Sequence, residues 1–235
     1  KNIEIDGVYI DDLGFGREVM QRVRRVLHRH RGDPVMDLHS ANQFNEKDGF
    51  ASSTNLYLEH FPYFDRLWFG EYFNYDAKPD YWLVEMSGIP FGLMGEMLQD
   101  GGNPWRGMIF GMTGRMPRVT MNTGLWKAWD KYELPSASMT GFWCKSSPVT
   151  SSSSDIPATL YHGKKYTIIA LASWAEKETI VDLGIDWQAL GYDEAAAQVF
   201  VPEIPEYQTS EDDVDTHAVA VEPGKGKLIV IKAPA

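Results

Sequence analysis

Cysteine is nearly absent from this chain, which has one among its 235 residues, Cys144. A single thiol cannot form an internal disulfide or supply the cluster of thiolates that a cysteine-based metal site needs. Long apolar runs are also missing, since no stretch reaches the roughly 18 to 20 consecutive apolar residues of a membrane-spanning helix. The sequence therefore predicts neither a disulfide-stabilised scaffold, nor a cysteine-ligated metal centre, nor a membrane span.

Positive charge is scarce as well. The chain has 22 lysines and arginines against 33 aspartates and glutamates, which gives a formal net charge of -11. Long-range repulsion therefore disfavours nucleic acid or an anionic membrane as a partner. Hydrophobic residues make up 43% and aromatic residues 13% of the chain, which is enough to bury one large core or two ordinary ones. The composition predicts a globular protein suited to neutral or cationic ligands.

Two common signatures of α/β transferases are missing. No glycine-rich phosphate loop follows a predicted strand, and the chain contains no GxSxG sequence around a nucleophilic serine. A phosphoryl or acyl transferase is therefore a disfavoured interpretation, as is an open, doubly wound nucleotide-binding sheet.

The chain alternates short apolar strands with helical stretches as far as about residue 143. Strands are predicted at residues 7–10, 34–40, 66–73 and 106–112, and helices at residues 17–30, 79–88 and 123–132. In the first helix the predicted apolar stripe consists of Val19, Val23, Val26 and Leu27, with basic residues opposite. Residues 89–98 fit either a strand or a buried helix.

Strands that alternate with helices indicate a parallel sheet with both faces covered. Four or five such units amount to half of a (β/α)8 barrel, so residues 1–145 are predicted to be the latter part of a TIM-type barrel. Half a barrel leaves two open edges and an uncovered interior. The missing units are therefore expected upstream in the same polypeptide or on a companion chain.

The sequence pattern changes after residue 145. Residues 146–155, SSPVTSSSSD, are small and polar without periodicity, which is typical of a linker. Residues 156–235 are predicted to form a small antiparallel β-sandwich, in which residues 164–174 and 178–183 read as a hairpin. Further strands are predicted at residues 196–204, 217–223 and 227–233, with a tight turn at residues 223–226.

The carboxyl ends of the predicted parallel strands carry acids, a histidine, an amide and a tyrosine. In a parallel α/β barrel these ends meet on one face, and the loops that leave them build the active site. The residues concerned are Asp11, Asp12, His39, Asn42, Glu71, Tyr72, Thr113 and Arg115. Separated carboxylates can divide the acid and the nucleophile or base roles of glycoside hydrolysis, while Trp and Tyr rings stack on sugars.

Asp11 and Asp12 follow the first predicted strand, and two interpretations of them remain open. A carboxylate here can act on a substrate, or it can cap the helix that begins near Arg17 by accepting backbone N–H bonds. Strand alternation turns the two side chains in opposite directions, so only one of them is expected to face a substrate.

The remaining candidates also have alternative interpretations. Glu71 lies in the apolar stretch WFGEYF, where it suits a general acid unless an arginine pairs with it. His39 is either a hydrogen-bonded core histidine or a contact to a substrate hydroxyl, and its surroundings lack a zinc-ligand pattern. Tyr75 and Trp105 lie in predicted loops beside strand ends and are expected to contact the substrate.

Three segments together resemble glycoside hydrolase family 123: DGVYIDDLGF (residues 6–15), SGIPFGLMGEMLQDGGNPWRGMIFGMTGR (87–115) and KKYTIIALASWAEKETIVDLGIDWQAL (164–190). The resemblance implies a catalytic (β/α)8 barrel between two β-sandwiches. It also implies substrate assistance, in which an acetamido group attacks the anomeric carbon while an adjacent Asp-Glu pair orients it and protonates the leaving oxygen. The matching position reads Asp11-Asp12, whose second acid is one methylene shorter, so Glu71 competes for the acid role.

The sequence thus predicts a glycosidase that cleaves oligosaccharides or glycoconjugates, N-acetylhexosaminides being the candidate substrates. Predicted catalytic residues are Asp11, Asp12 and Glu71, and predicted substrate contacts are His39, Asn42, Tyr72, Tyr75, Trp105 and Arg115. No cofactor and no metal are expected, and the expected location is extracellular or periplasmic. The alternative is a non-catalytic glycan-binding or structural protein that retains a glycosidase fold.

Overall fold

The computed structural model describes residues 5–39, 55–68, 76–80, 83, 94–98, 103–111, 113–114 and 123–232. The chain divides into two compact units, Lys1–Gln99 and Asp100–Ala235. The division between them therefore falls well before the boundary near residue 145 that the sequence pattern predicts.

The first unit contains a parallel sheet. Its strands are β1 (Gly7–Asp11), β2 (Val35–His39), β3 (Arg66–Trp68) and β4 (Met94–Leu98), and they pair in that order. Helix α1 (Arg17–Arg31) connects β1 to β2, and a 3-10 helix (Asn55–Tyr63) precedes β3. The predicted strands at 7–10 and 34–40 and the predicted helix at 17–30 are confirmed, while the end of the predicted strand 66–73 lies outside the described residues.

The buried face of α1 differs from the predicted stripe. Met20 is fully buried, whereas Val19 and Val26 are 46% and 48% exposed. The buried side of α1 is therefore rotated around the helix axis relative to the predicted apolar stripe. Arg24 lies on this buried side, where its guanidinium binds Asp65.

The Arg24–Asp65 pair attaches α1 to the sheet. The guanidinium donates two hydrogen bonds to the carboxylate, at 2.5 and 2.9 Å, and the Met36 backbone N–H donates a third at 2.7 Å. Burial raises the pKa of Asp65, but the bonds from Arg24 and Met36 outweigh it and hold the pKa below the ordinary 3.8. The charged carboxylate is therefore the form that the fold stabilises.

Asp65→Asn is expected to lower the free energy of unfolding by about 1 kcal/mol at pH 7, a figure reduced for solvent screening because the pair is partly exposed. The contribution of Asp65 is complete above pH 3.8 and is lost as the pH falls through the lower folded-state pKa. The stability of the variant should thus decline less steeply in acid. Urea unfolding of both proteins at several pH values below about 5 measures this, and parallel curves would contradict it.

One predicted strand is a helix. Residues 106–112 were predicted to be a strand, but helix α2 (Pro104–Ile109) occupies most of them. Asn103 caps this helix by accepting a hydrogen bond from the Arg106 N–H at 3.0 Å, and Pro104 stands in its first turn. The apolar run is compatible with a strand or a helix, and the Asn103 cap and Pro104 favour the helix. The short strand β5 (Thr113–Gly114) follows the helix.

The second unit is built mainly from antiparallel strands. They are β6 (Ser138–Thr140), β7 (Val149–Ser151), β8 (Ala158–His162), β9 (Tyr166–Ala172), β10 (Thr179–Val181), β11 (Leu183–Ile185), β12 (Gln198–Phe200), β13 (Val219–Val221) and β14 (Gly226–Lys232). Five form a sheet in the order β12-β14-β9-β8-β6, while β10 pairs with β13 and β11 with β7. The antiparallel prediction is confirmed.

Two details of the predicted sandwich are wrong. β9 and β10 do not form a hairpin, because β9 pairs with β8 and β14 while β10 pairs with β13. The serine-rich residues 146–155, predicted to be a linker, contain β7, which pairs with β11. Serine side chains bond locally in this segment, as when the Ser147 hydroxyl donates to the Val149 carbonyl at 2.8 Å. The polar residues 146–155 therefore contain a strand that their composition does not indicate.

The five-stranded sheet is buried on both faces. Alternate residues such as Leu160, Ile169 and Ile229 face the second β layer, where they join one apolar cluster with β7, β10, β11 and β13. On the opposite face, the hydroxyl of Thr159 donates to the Ile109 carbonyl at 2.7 Å, and that of Tyr161 donates to the Met108 carbonyl. Helix α2 therefore covers the face that the second β layer leaves open. A further helix, α3 (Thr123–Lys131), confirms the predicted helix at 123–132.

Candidate active site

The ends of β1 and β2 bring two predicted residues together. The parallel register places Asp11 opposite His39, and Nδ1 of the imidazole lies 2.9 Å from Oδ1 of the carboxylate. An ionised carboxylate only accepts hydrogen bonds, so Nδ1 carries the hydrogen, and Nε2 is the acceptor of the neutral ring. The Asp11 side chain is 73% exposed, whereas that of His39 is 13% exposed. The pair thus offers an accessible carboxylate supported by an oriented imidazole.

Asp12 has a different role from Asp11. Its backbone adopts a left-handed conformation with φ of 76°, and its Oδ1 accepts a hydrogen bond from the Leu13 N–H at 2.8 Å. Its own N–H donates to the His39 carbonyl at 2.6 Å. Asp12 therefore shapes the turn that leaves β1.

The helix-cap interpretation of the two acids is wrong. The N-cap of α1 is Gly16, and no side chain makes a capping hydrogen bond there. Gly16 has an extended backbone conformation, and its carbonyl accepts hydrogen bonds from Val19 and Met20. Three residues, Leu13 to Phe15, separate Asp12 from this cap, so neither carboxylate caps the start of the helix.

The same face of the sheet carries further polar residues. Because strand side chains alternate, Tyr9 and Asp11 share a face with Asp37 and His39 of β2. Arg66 of β3, opposite Asp37, donates two hydrogen bonds to its carboxylate at 2.6 and 2.8 Å. The Tyr9 ring lies 6.2 Å from the imidazole of His39 with an interplanar angle of 23°.

Tyr9, Asp37 and Arg66 are not among the predicted site residues. They lie in the middle or at the start of their strands, whereas the prediction concerns the carboxyl ends of strands. The period-2 pattern of VMDLH, in which Met36 and Leu38 are buried, is the signal that places Asp37 on the polar face with His39.

The other predicted site residues lie either outside the described residues or in the second unit. Asn42, Glu71, Tyr72, Tyr75 and Arg115 lie outside the described residues. Trp105 was predicted to lie in a loop beside a strand end, but it stands in the first turn of α2 in the second unit. Its ring stacks on Tyr207 with centroids 4.8 Å apart, and its Nε1 is buried. Pro104 and the Asn103 cap place Trp105 in the helix, where its ring packs against Tyr207.

Within the described ranges, no group of three or more His, Cys, Asp and Glu side chains is arranged to hold a metal ion. None of the helices in those ranges is long and apolar enough to cross a bilayer.

Comparison with known proteins covers nearly the whole chain. Residues 1–117 match the family described as Glycoside hydrolase 123, TIM-barrel domain, and residues 121–232 match Glycoside hydrolase 123, C-terminal domain. No curated protein sequence matches the chain.

Several solved structures have a similar fold. A noncanonic maltogenic alpha-amylase from Thermotoga neapolitana has a TM-score of 0.58 at 9% identity, over 97% of this chain and 61% of that chain. An alpha-amylase from Geobacillus thermoleovorans, complexed with acarbose, has a TM-score of 0.54 at 11% identity, over 98% and 61%. An Anoxybacillus alpha-amylase has a TM-score of 0.53 at 10% identity, over 98% and 60%. The likeness concerns the fold alone, and this chain spans about three fifths of the length of these structures.

Proposed function

The chain belongs to glycoside hydrolase family 123, and we propose that it hydrolyses glycosidic bonds with Asp11 as the carboxylate at the reaction centre. One observation carries this assignment. Asp11 is highly exposed at the carboxyl end of a parallel strand and is held by His39 from the neighbouring strand. Strand ends of this kind form the active face of TIM-barrel enzymes.

The structure favours Asp11 over Asp12 for this role. The Asp12 carboxylate accepts a bond from the Leu13 N–H and sits on a left-handed backbone, which ties it to the turn. Asp11 instead shares the polar face with Tyr9, a residue that is 44% exposed and whose ring lies beside His39. We assign Tyr9 as a surface for the apolar face of a sugar ring, because aromatic rings stack on such faces.

The proposed substrate is an N-acetylhexosaminide. In the proposed reaction the acetamido oxygen attacks the anomeric carbon, the leaving oxygen takes a proton, and water then opens the cyclic intermediate. Asp11 accepts a hydrogen bond from the acetamido N–H and stabilises the positive charge that develops on this group. His39 orients Asp11 through the Nδ1 bond. Glu71 remains the proposed proton donor, on the strength of its position in the sequence.

We further propose that the four parallel strands are the latter part of a (β/α)8 barrel. They run in parallel and pair in sequential order, as barrel strands do, and one face is polar while the other buries Met36 and Leu38. The active site of a TIM barrel is built from loops at the carboxyl ends of all eight strands. We therefore expect activity to require the complete barrel.

A hydrolysis screen tests the proposed function. Full-length protein would be assayed against a panel of aryl glycosides and natural oligosaccharides that includes N-acetylhexosaminides. Cleavage of one class supports the proposal and identifies the sugar. Glycan binding without cleavage by the intact protein would contradict it and support a non-catalytic glycan-binding role.

A further inference from the structure

Helix α1 exposes an unusual mixed face. It contains six arginines and one glutamate in a chain whose net charge is -11. Val19 and Val26 are seven residues apart and about half exposed. At about 3.6 residues per turn, these valines share one side of the helix with Arg22, Arg25 and Arg29, opposite the side that is buried. We call these five residues the α1 strip.

The arginines of the α1 strip have no partner in the described part of the chain. Arg24 binds Asp65, and Arg17 donates to the Tyr63 hydroxyl. Arg22, Arg25 and Arg29, by contrast, make no ion pair and no hydrogen bond to any described residue, and all three are exposed. Guanidinium groups are weakly hydrated and are enriched at protein interfaces, where apolar side chains accompany them.

The second unit contains an exposed segment of opposite charge. Residues 178–224 contain twelve aspartates and glutamates and no lysine or arginine, and all twelve carboxylates are on exposed residues. They are Glu178, Asp182, Asp186, Asp193, Glu194, Glu203, Glu206, Glu211, Asp212, Asp213, Asp215 and Glu222. Glu194, Glu203 and Asp212 make no ion pair or hydrogen bond within the described ranges. We call residues 178–224 the acidic segment.

We propose that the α1 strip of one copy of the chain docks on the acidic segment of a second copy. Opposite charges attract the two surfaces, and the two valines supply the apolar contact. Each exposed ion pair contributes only about 0.2 to 1 kcal/mol, so the association is weak and sensitive to salt. The two surfaces differ, so the contact is heterologous and continues from copy to copy as a ring or an open chain.

Sedimentation velocity of the full chain tests this contact at about 50 and 300 mM NaCl. The apparent association constant is expected to be about tenfold weaker at the higher salt. Replacing Arg22, Arg25 and Arg29 together by Glu is expected to weaken association at least tenfold at low salt. The matched control replaces three exposed lysines, Lys127, Lys164 and Lys177, by Glu. It lowers the net charge by the same amount and should still associate.

A charge exchange makes the test specific. Replacement of Glu194, Glu203 and Asp212 by Lys should weaken self-association to a similar extent, and mixing this variant with the arginine-to-glutamate variant should restore assembly. A chain that stays monomeric at low salt, or equal loss in the lysine control, overturns the proposal. Binding of heparin or DNA through the α1 strip without self-association also overturns it, and would identify a polyanion site instead. None of these outcomes depends on hydrolytic activity.

Discussion

Asp11→Asn is expected to reduce kcat on the cleaved glycoside by about a thousandfold, equivalent to roughly 4 kcal/mol of transition-state stabilisation. The amide keeps the size of the side chain and can still accept the hydrogen bond from His39, so only the negative charge is removed. In the proposed mechanism that charge stabilises the positive charge that develops in the transition state, so KM should change only a few fold. Steady-state kinetics of the full-length protein measure both constants.

Asp12→Asn is the matched control. Asparagine tolerates the left-handed backbone at this position, and its amide oxygen can accept the bond from the Leu13 N–H. We therefore expect kcat within about threefold of the parent value, since a change of that size corresponds to less than 1 kcal/mol. The reverse pattern, with Asp12→Asn inactive and Asp11→Asn active, would transfer the catalytic role to Asp12.

Ile229→Ala is expected to lower the free energy of unfolding of the second unit by about 3 to 4 kcal/mol. Ile229 is fully buried in β14 and lies opposite Ile169 of β9, which is also fully buried. Truncation removes apolar contact and leaves a cavity between the two β layers, where neighbouring strands are too constrained to collapse into it. Chemical denaturation with a probe of the second unit measures the change.

Two controls separate this packing effect from a general effect of substitution. Ile229→Val removes one methylene and should destabilise by about 1 kcal/mol. Ile180, in β10, is 66% exposed, so Ile180→Ala should change stability by less than about 0.5 kcal/mol. Equal losses for the two alanine variants would contradict the packing of β14 between layers.

Local sequence patterns predict individual helices and strands, whereas the residues that meet in a site also depend on how the strands pair. The apolar run of β1, the amphipathic spacing of α1 and the strand VMDLH predicted three elements, because each pattern is local. The meeting of Asp11 and His39 also follows from the sequence, since parallel strands in succession bring their carboxyl ends together. The Asp37–Arg66 pair does not, because it depends on the register of β2 against β3.

Non-local interactions explain the failures. The hairpin assigned to β9 and β10 followed from their closeness in sequence, but long-range pairing places them in different sheets. Strand β7 has no apolar sequence pattern, because only Val149 of its three residues is buried. Its strand structure depends on backbone pairing with β11, which is distant in the sequence. The helix α2 was recognisable only from Asn103 and Pro104, two residues whose signals the neighbouring apolar run outweighed.

Helix α2 covers one face of the five-stranded sheet, and this limits where the chain can be cut into separately folding parts. Ile168, Leu228 and Val230 are buried on the sheet face that α2 covers, and β6 completes the edge of that sheet. A break near residue 145, where the sequence changes character, would expose this face and remove the edge strand. The C-terminal β-structure is therefore not a module that evolution can exchange at that point. Recombination between relatives would preserve folding only if the crossover lies before Asn103.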